Sequence, residues 1–263
     1  MMNSANAASI ARDKAFCARV LSARGVPVVA GEMFFVTPRW SDMRSPGREL
    51  DDALAFTARA QYPIFCKPIS ASNGLYAEII EDFDAFQNYV ARVAREHFAI
   101  LVQPVLRGAE YRVFVLNGRP LFSYRKHLPA VFGDGESTLA ALSQRERPSG
   151  RDESGVSYCA SDVPPRGARI GLEGPANRSV GGGAHALIDG APAPLANIAL
   201  AAADALGLEL AGVDIFNVSP ARDFSDLLVI EVNSNPMIAT LEDHGRWDLI
   251  ETIWHANIDA ALR

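Results

Sequence analysis

Residues 9–24, SIARDKAFCARVLSAR, put Ile10, Phe16, Val20 and Leu21 at helical spacing and stop at Gly25, which predicts one helix. VPVVAGEMFFV then reads as extended, TPRWSDMRSPGREL as a loop and DDALAFTARAQ as a short helix. YPIFCKP and YAEII read as strands on either side of the loop SASNGL. EDFDAFQNYVARVAREH is a helix, followed by the strand FAILVQPV. EYRVFVLNGRPLFSYRKHLPAV alternates about Asn117-Gly118, a strong short hairpin signal. A tight turn at GDG, residues 133–135, leads into a predicted helix ESTLAALSQRER. PLANIALAAADALG is a helix, LELAGVDIFNV and DLLVIEVN are strands, and GRWDLIETIWHANIDAAL is a closing helix. In that last helix Trp247 and Trp254 lie seven apart, a spacing that predicts a buried face.

Residues 147–184 break the pattern. They hold eight glycines and four prolines without periodicity, so they read as a flexible loop. The remaining elements order themselves as an N-terminal helix (1–25), a small α+β half (26–104) and a larger half of antiparallel strands and helices (105–263). Regular strand–helix alternation is missing from the second half, which excludes a Rossmann or barrel arrangement and predicts an α+β fold.

One strand carries polar groups where a buried strand has none. In VIEVNSNPMI, simple alternation puts Leu227, Val229, Glu231 and Asn233 on one face and Leu228, Ile230 and Val232 on the other. The preceding strand sets Asp214 between Val213 and Ile215, and a hairpin would bring Asp214 close to Glu231. Two carboxylates and an amide oxygen suit Mg²⁺ or Mn²⁺, ions that bridge to substrate phosphates. Ion-paired structural acids at strand ends fit the spacing equally well. Lys67 ends an apolar strand, where its ammonium would neutralise phosphate oxygens or sit as a solvated charge; Lys14, Arg125 and Lys126 face the same choice. The backbone of SASNGL (Ser72, Asn73, Gly74) could present N–H groups to an anion; that of SVGGGAHA (Gly181, Gly182, Gly183) could do the same or serve equally well as a flexible linker.

Composition narrows the partners. A formal net charge of −6 over 263 residues argues against a generic nucleic-acid binder. The three cysteines, Cys17, Cys66 and Cys159, form no CxxC pair and read as free thiols of a reducing compartment. No apolar run reaches the roughly 18 residues of a membrane helix, so a soluble, cytoplasmic protein without membrane partners is expected. None of His97, His127, His185, His244 and His255 has metal-pair spacing.

In chain order, DKAFCARVLSARGVPV, FCKPISASNG, LVQPVLRGAEYRVFVLNGRP, RKHLPAVFGDGESTL, NRSVGGGAHA, AGVDI and VIEVNSNP resemble the ATP-grasp superfamily. The likeness is to the ATP-grasp module of bifunctional glutathione synthetase and cyanophycin synthetase. It implies ATP clasped between two α+β subdomains. It implies Lys14 and Lys67 on phosphates and residues Gln103, Pro104, Val105 and Leu106 against adenine. Glu110 would hold the ribose hydroxyls, with Arg112 among the nucleotide-binding residues. Asp214, Glu231 and Asn233 would be the magnesium ligands, Arg125 with Lys126 the basic pair near the transferred phosphate, and Asn177 with Gly181–Gly183 the acceptor side. Gln103 stands where many members of the superfamily have Glu, and Gly212 where some have Arg. The N-terminal domain that many free-standing ligases carry is expected to be absent, or replaced by a second subunit or another protein.

The implied reaction is ATP-dependent ligation of a small carboxylate to an amine through an acyl phosphate, with residues 147–184 as a lid. A kinase on the same fold, or a non-catalytic nucleotide-binding module, would share the nucleotide-side residues.

Overall fold

The computed structural model describes residues 2–72, 74–144, 148–173 and 182–262. Met1–Arg125 with Ala184–Arg263 make one compact unit, and Lys126–Gly183 a second.

In the first unit the predicted opening helix is two. α1 (Ala5–Arg12) and α2 (Lys14–Ala23) are broken at Asp13, whose extended backbone lets its carboxylate cap the N–H groups of Ala15 and Phe16. An aspartate that competes for backbone donors favours a cap over a helix interior. The small half forms a four-stranded antiparallel sheet in the order β1-β4-β2-β3. Its strands are β1 (Glu32–Phe35), β2 (Ile64–Pro68), β3 (Glu78–Ile80) and β4 (Ala99–Pro104). Two helices, α3 (Leu50–Thr57) and α4 (Phe83–Val93), cover one face. Cys66, Phe86, Tyr89, Val93, Ile100 and Val102 form the core there. Burying each large apolar side chain in such a core is worth about 1.5–3 kcal/mol. The other face carries Lys67, opposite Leu101, and meets Ala15 of α2.

The large sheet runs β11-β6-β5-β13-β14, with β12 also pairing to β6. It comprises β5 (Ala109–Leu116), β6 (Arg119–His127), β11 (Gly183–Ala184), β12 (Ile188–Asp189), β13 (Leu210–Asn217) and β14 (Leu227–Asn233). Asn117 and Gly118, both at positive φ, make the predicted β5–β6 hairpin turn. One face packs on α1, α2 and α6 (Ala193–Leu206) through Val113, Val213, Ile215, Val229, Val232, Leu195 and Leu21. The other is covered over part of its area by α7 (Ala239–Asp243) and α8 (Trp247–Leu262), which bury Phe114, Phe122, Leu210, Leu241 and Ile253. Leu249 and Ile253 supply the buried face of α8. Trp247 and Trp254 are 61% and 58% exposed, the reverse of the sequence expectation. A spacing of seven puts two residues on one face without saying which face.

The face predicted for Val229 is also corrected. Asp214 pairs with Glu231 but Ile215 pairs with Val229, so Ile230 is an extra residue in a β-bulge. Val229 and Val232 therefore both enter the core, and Glu231 faces the other way.

In the second unit, residues read as loop or lid hold order of their own. β7 (Ala130–Phe132), β8 (Gly150–Asp152), β9 (Ser157–Tyr158) and β10 (Arg169–Leu172) form a sheet in the order β7-β10-β8-β9. The helix predicted from Glu136 shortens to α5 (Leu139–Ser143), and Leu139, Ile170 and Leu172 form a small core. Gly150 has a packing reason: a Cβ there would come within 2.7 Å of both Gly171 O and Ile170 Cγ2. Strands of two to four residues are too short to show a period.

Candidate functional site

Register builds the site. Arg112 on β5 pairs with Asp214 on β13, and Asp214 pairs with Glu231 on β14, so the three stand in one row on one face. On the β6 side the row continues with Tyr124. The next row toward α7 and α8 is Phe122, Phe114, Gly212 and Asn233. The apolar covering thus gives way to charge across a single step of two residues.

Each acid has a cation. The Arg112 guanidinium donates Nε–H to Asp214 Oδ1 and Nη2–H to Oδ2, both at 2.6 Å. Asp214 is 5% exposed. Burial works against the Arg112 charge, but the facing carboxylate and its hydrogen bonds outweigh it, and the guanidinium is held well above its ordinary range. Lys14, at the first position of α2, puts Nζ 3.6 Å from Glu231 Oε2 and donates to Ala71 O at 2.6 Å. Its ammonium thus ties the loop after β2 to β14.

Lys67 is 5% exposed, and its ammonium lies 5.8 Å from the centre of the Phe65 ring. Burial pushes its ammonium below the usual lysine range; Glu231, Glu110 and Asp214 pull it back up, and Lys14 pushes it further down. Two of the charges that act on Lys67, Glu231 and Asp214, are those of the row. Glu110, two residues before Arg112, shares its face and lies opposite Phe216. At formal charge Lys14, Lys67 and Arg112 balance Glu110, Asp214 and Glu231. A polyphosphate would add only negative charge to this balance, and a divalent cation is the usual companion that restores it.

Gln103, buried on β4, turns its side chain inward and donates Nε2–H to Val29 O at 3.4 Å. Gly31 packs against it; a Cβ there would sit 2.7 Å from Gln103 Cγ. What this segment offers outward is backbone and the half-buried Val105 and Leu106 beside exposed Pro104. Ser72 and Gly74 lie in the turn after β2, where Leu75 N–H donates to Ser72 O and Gly74 takes φ 72°. Asn73, Asn177 and Gly181 lie outside the described residues.

Arg125 is not brought into the row. It pairs with Tyr111, on the opposite face from Arg112, and is exposed. Lys126 has the alternate parity and is buried. The reason is a second irregularity. Val115 pairs with Pro120 but Phe114 with Phe122, so Leu121 is an extra residue and every later β6 side chain changes face.

The donor chemistry of Asp214, Glu231 and Asn233 fits a hard divalent cation. Among the described residues no three His, Cys, Asp or Glu side chains cluster as a metal site, so the protein share would be two carboxylates and an amide. Arg112 uses two of the roughly four lone-pair directions of Asp214. Asn233 Nδ2 is buried with no hydrogen-bond partner, so no hydrogen bond from that nitrogen opposes turning Oδ1 toward the carboxylates. Gly212 is required by packing: a Cβ there would lie 2.7 Å from Pro236 Cβ, and Arg112 Cδ is 3.8 Å away. The arginine seen at this position in some members of the superfamily has no room here, and the guanidinium beside Asp214 comes from the neighbouring strand.

Residues missed in the sequence are Arg112 as the partner of Asp214 and Asn3, described below. No described helix is long and apolar enough to cross a membrane.

The chain is similar to known proteins over most of its length. Residues 182–256 match the RimK-like ATP-grasp domain family. The chain is 28% identical over 254 residues to cyanophycin synthetase of Trichormus variabilis, covering 86% of this chain and 26% of that protein. It is 26% identical over 254 residues to the glutathione biosynthesis bifunctional protein GshAB of Streptococcus mutans, covering 85% of this chain and 32% of that protein. The chain thus spans between about a quarter and a third of the length of these relatives. In fold it matches D-alanine–D-alanine ligase from Bacillus anthracis, with TM-score 0.53, 18% identity and coverage of 88% of this chain and 59% of that one. It also matches the ATP-grasp ligase PsnB complexed with a precursor variant, Mg and ADP, with TM-score 0.50, 16% identity and coverage of 92% and 56%.

Proposed function

We propose that this chain, a RimK-like ATP-grasp domain of a family typically made up of ATP-dependent carboxylate–amine ligases, joins the carboxylate of an amino acid or small peptide to an amine. The observation that carries this is the row Arg112–Asp214–Glu231, with Lys14 ion-paired to Glu231 and the buried Lys67 ammonium acted on by the same acids. Such an array suits a reaction in which the protein mainly positions groups and neutralises charge.

In this reading a carboxylate oxygen attacks the γ-phosphorus of ATP and the bond to the ADP oxygen breaks. The amine then attacks the acyl carbon, inorganic phosphate leaves, and the amine gives up a proton. Lys67 and Lys14 hold phosphate oxygens. Lys67, low in pKa through burial, needs little desolvation to do so. Arg112 aims Asp214 through two hydrogen bonds. Glu110 and the backbone from Gln103 to Leu106 hold the nucleoside. Asp214, Glu231 and Asn233 hold Mg²⁺, or Mn²⁺ in its place, which when bound supplies charge neutralisation on the transferring phosphoryl group. A second subunit or a partner protein completes the acceptor side.

The test is ADP release across amino-acid and dipeptide pairs, with hydroxylamine as a trap for the activated acyl group. Acid-dependent ADP release with a hydroxamate supports ligation. Acid-dependent ADP release with a stable phosphorylated product and no hydroxamate overturns it in favour of a kinase.

A further inference from the structure

The segment before α1 reaches the site through one side chain. Asn3 Nδ2 donates to Leu210 O and to Ser234 O, each at 2.7 Å. Asn3 Oδ1 accepts from Glu209 N–H at 2.9 Å and from Leu210 N–H at 3.1 Å. Both donors and both acceptor directions of the carboxamide are used, which no other side chain of this length can do. One end of this staple is the start of β13; the other is the carbonyl of Ser234, the residue after Asn233. The turn after Asn233 is held a second time by Pro236, which is buried against Gly212. Between the two anchors sits an amide whose Nδ2 has no partner of its own. The backbone that aims Asn233 is held by its pairing with Gly212 on β13 and, one residue later, by Asn3 at Ser234 O.

We propose that Asn3 is a positioning residue for Asn233 and, through it, for the divalent cation held by Asp214 and Glu231. This rests on reading those three residues as cation ligands. Groups that orient metal ligands typically contribute about 10–100-fold to metal affinity. Asn3 acts without touching the ion.

The experiment is Mn²⁺ binding to the full chain in the presence of ADP, followed by the electron paramagnetic resonance signal of free Mn²⁺, with thermal melting alongside. Asn3→Ala is expected to weaken Mn²⁺ binding about tenfold. Asn3→Asp keeps the acceptor for Glu209 and Leu210 but sets an oxygen against the carbonyls of Leu210 and Ser234. It is expected to lose as much affinity, and it carries the test should the alanine variant fold poorly. Ser4→Ala removes the α1 cap on Ala7 without touching residue 234, and should lower the melting temperature but leave Mn²⁺ binding unchanged. Asp214→Asn should abolish binding. If both Asn3 variants bind as the parent does while Asp214→Asn does not, or if Ser4→Ala weakens binding equally, positioning by Asn3 is refuted. If Asp214→Asn binds normally, the cation-site reading itself falls, and this inference with it.

Discussion

Replacing Arg112 with methionine keeps the aliphatic stem and removes the guanidinium from both oxygens of Asp214. What remains is a carboxylate 5% exposed on a strand between two others, with its bidentate partner gone. Two unit charges about 4 Å apart attract by about 4 kcal/mol at an effective dielectric constant of about 20. Removing one member of a buried pair costs about 3–5 kcal/mol, because the other charge stays desolvated. The two figures agree, so Arg112→Met should destabilise the metal-free protein by about 3–5 kcal/mol. The assay is urea unfolding in EDTA and again in excess Mg²⁺. Mg²⁺ should recover part of the loss in Arg112→Met, because a cation can then answer Asp214 directly. The double variant Arg112→Met/Asp214→Leu should be more stable in EDTA than Arg112→Met alone. A loss below about 1 kcal/mol, the range of an exposed pair, would refute the argument. So would a double variant weaker than the single one.

Other groups make separate predictions. Lys67→Met should raise the urea midpoint at neutral pH while removing ATP-dependent turnover. Burial holds the folded pKa of Lys67 below its unfolded value, so the charged form penalises folding at neutral pH, and the parent's deficit should shrink as pH rises toward the unfolded pKa. Among the cysteines, burial pushes the Cys17 thiol up to about 12 and Cys66 higher still, and Cys159 is exposed. Iodoacetamide at about pH 8 should therefore add one group to the native protein, at Cys159, and three after denaturation, counted by mass spectrometry. In the GDG turn, Asp134 accepts from the backbone N–H of Ser137, the Ser137 hydroxyl and the N–H of Glu136, which lower its pKa to about 2. A carboxylate depressed on folding stabilises above its unfolded pKa. The deficit of Asp134→Ala in urea should thus be full at neutral pH and fade as pH falls from about 4 to about 2.

Local signals in the sequence were readable where the physics is local. Asn117-Gly118 specified its turn, Gly207 ended α6 at φ 66°, and Asp82 capped α4, all through conformational freedom or a neighbouring donor. The opposition of Asp214 and Glu231 was also legible, because strands joined by a short connection usually pair. What failed depended on counts that accumulate or on contacts distant in sequence. From the turn at 117–118, unbroken register would set Arg125 opposite Glu110; the extra Leu121 sets it opposite Tyr111. The extra Ile230 likewise put Val229 on the core face. Arg112 looked like one basic residue among many until register placed it opposite Asp214. Asn3 makes its bonds to residues more than 200 positions away, and no window along the chain contains both ends.

Ile230 has a consequence for how this strand tolerates change in length. Shortening a β-strand by one residue ordinarily exchanges inside for outside from that point on. Here it would not: with Ile230 removed, Val229, Glu231, Val232 and Asn233 would follow in strict alternation, each on the side it already occupies. The strand is one residue longer than its pattern of faces needs. A deletion variant should therefore fold with its core intact and lose only the local bend that the bulge imposes on the chain at Glu231. Such a protein separates two things that substitution confounds, the identity of the acid and the direction in which the backbone aims it.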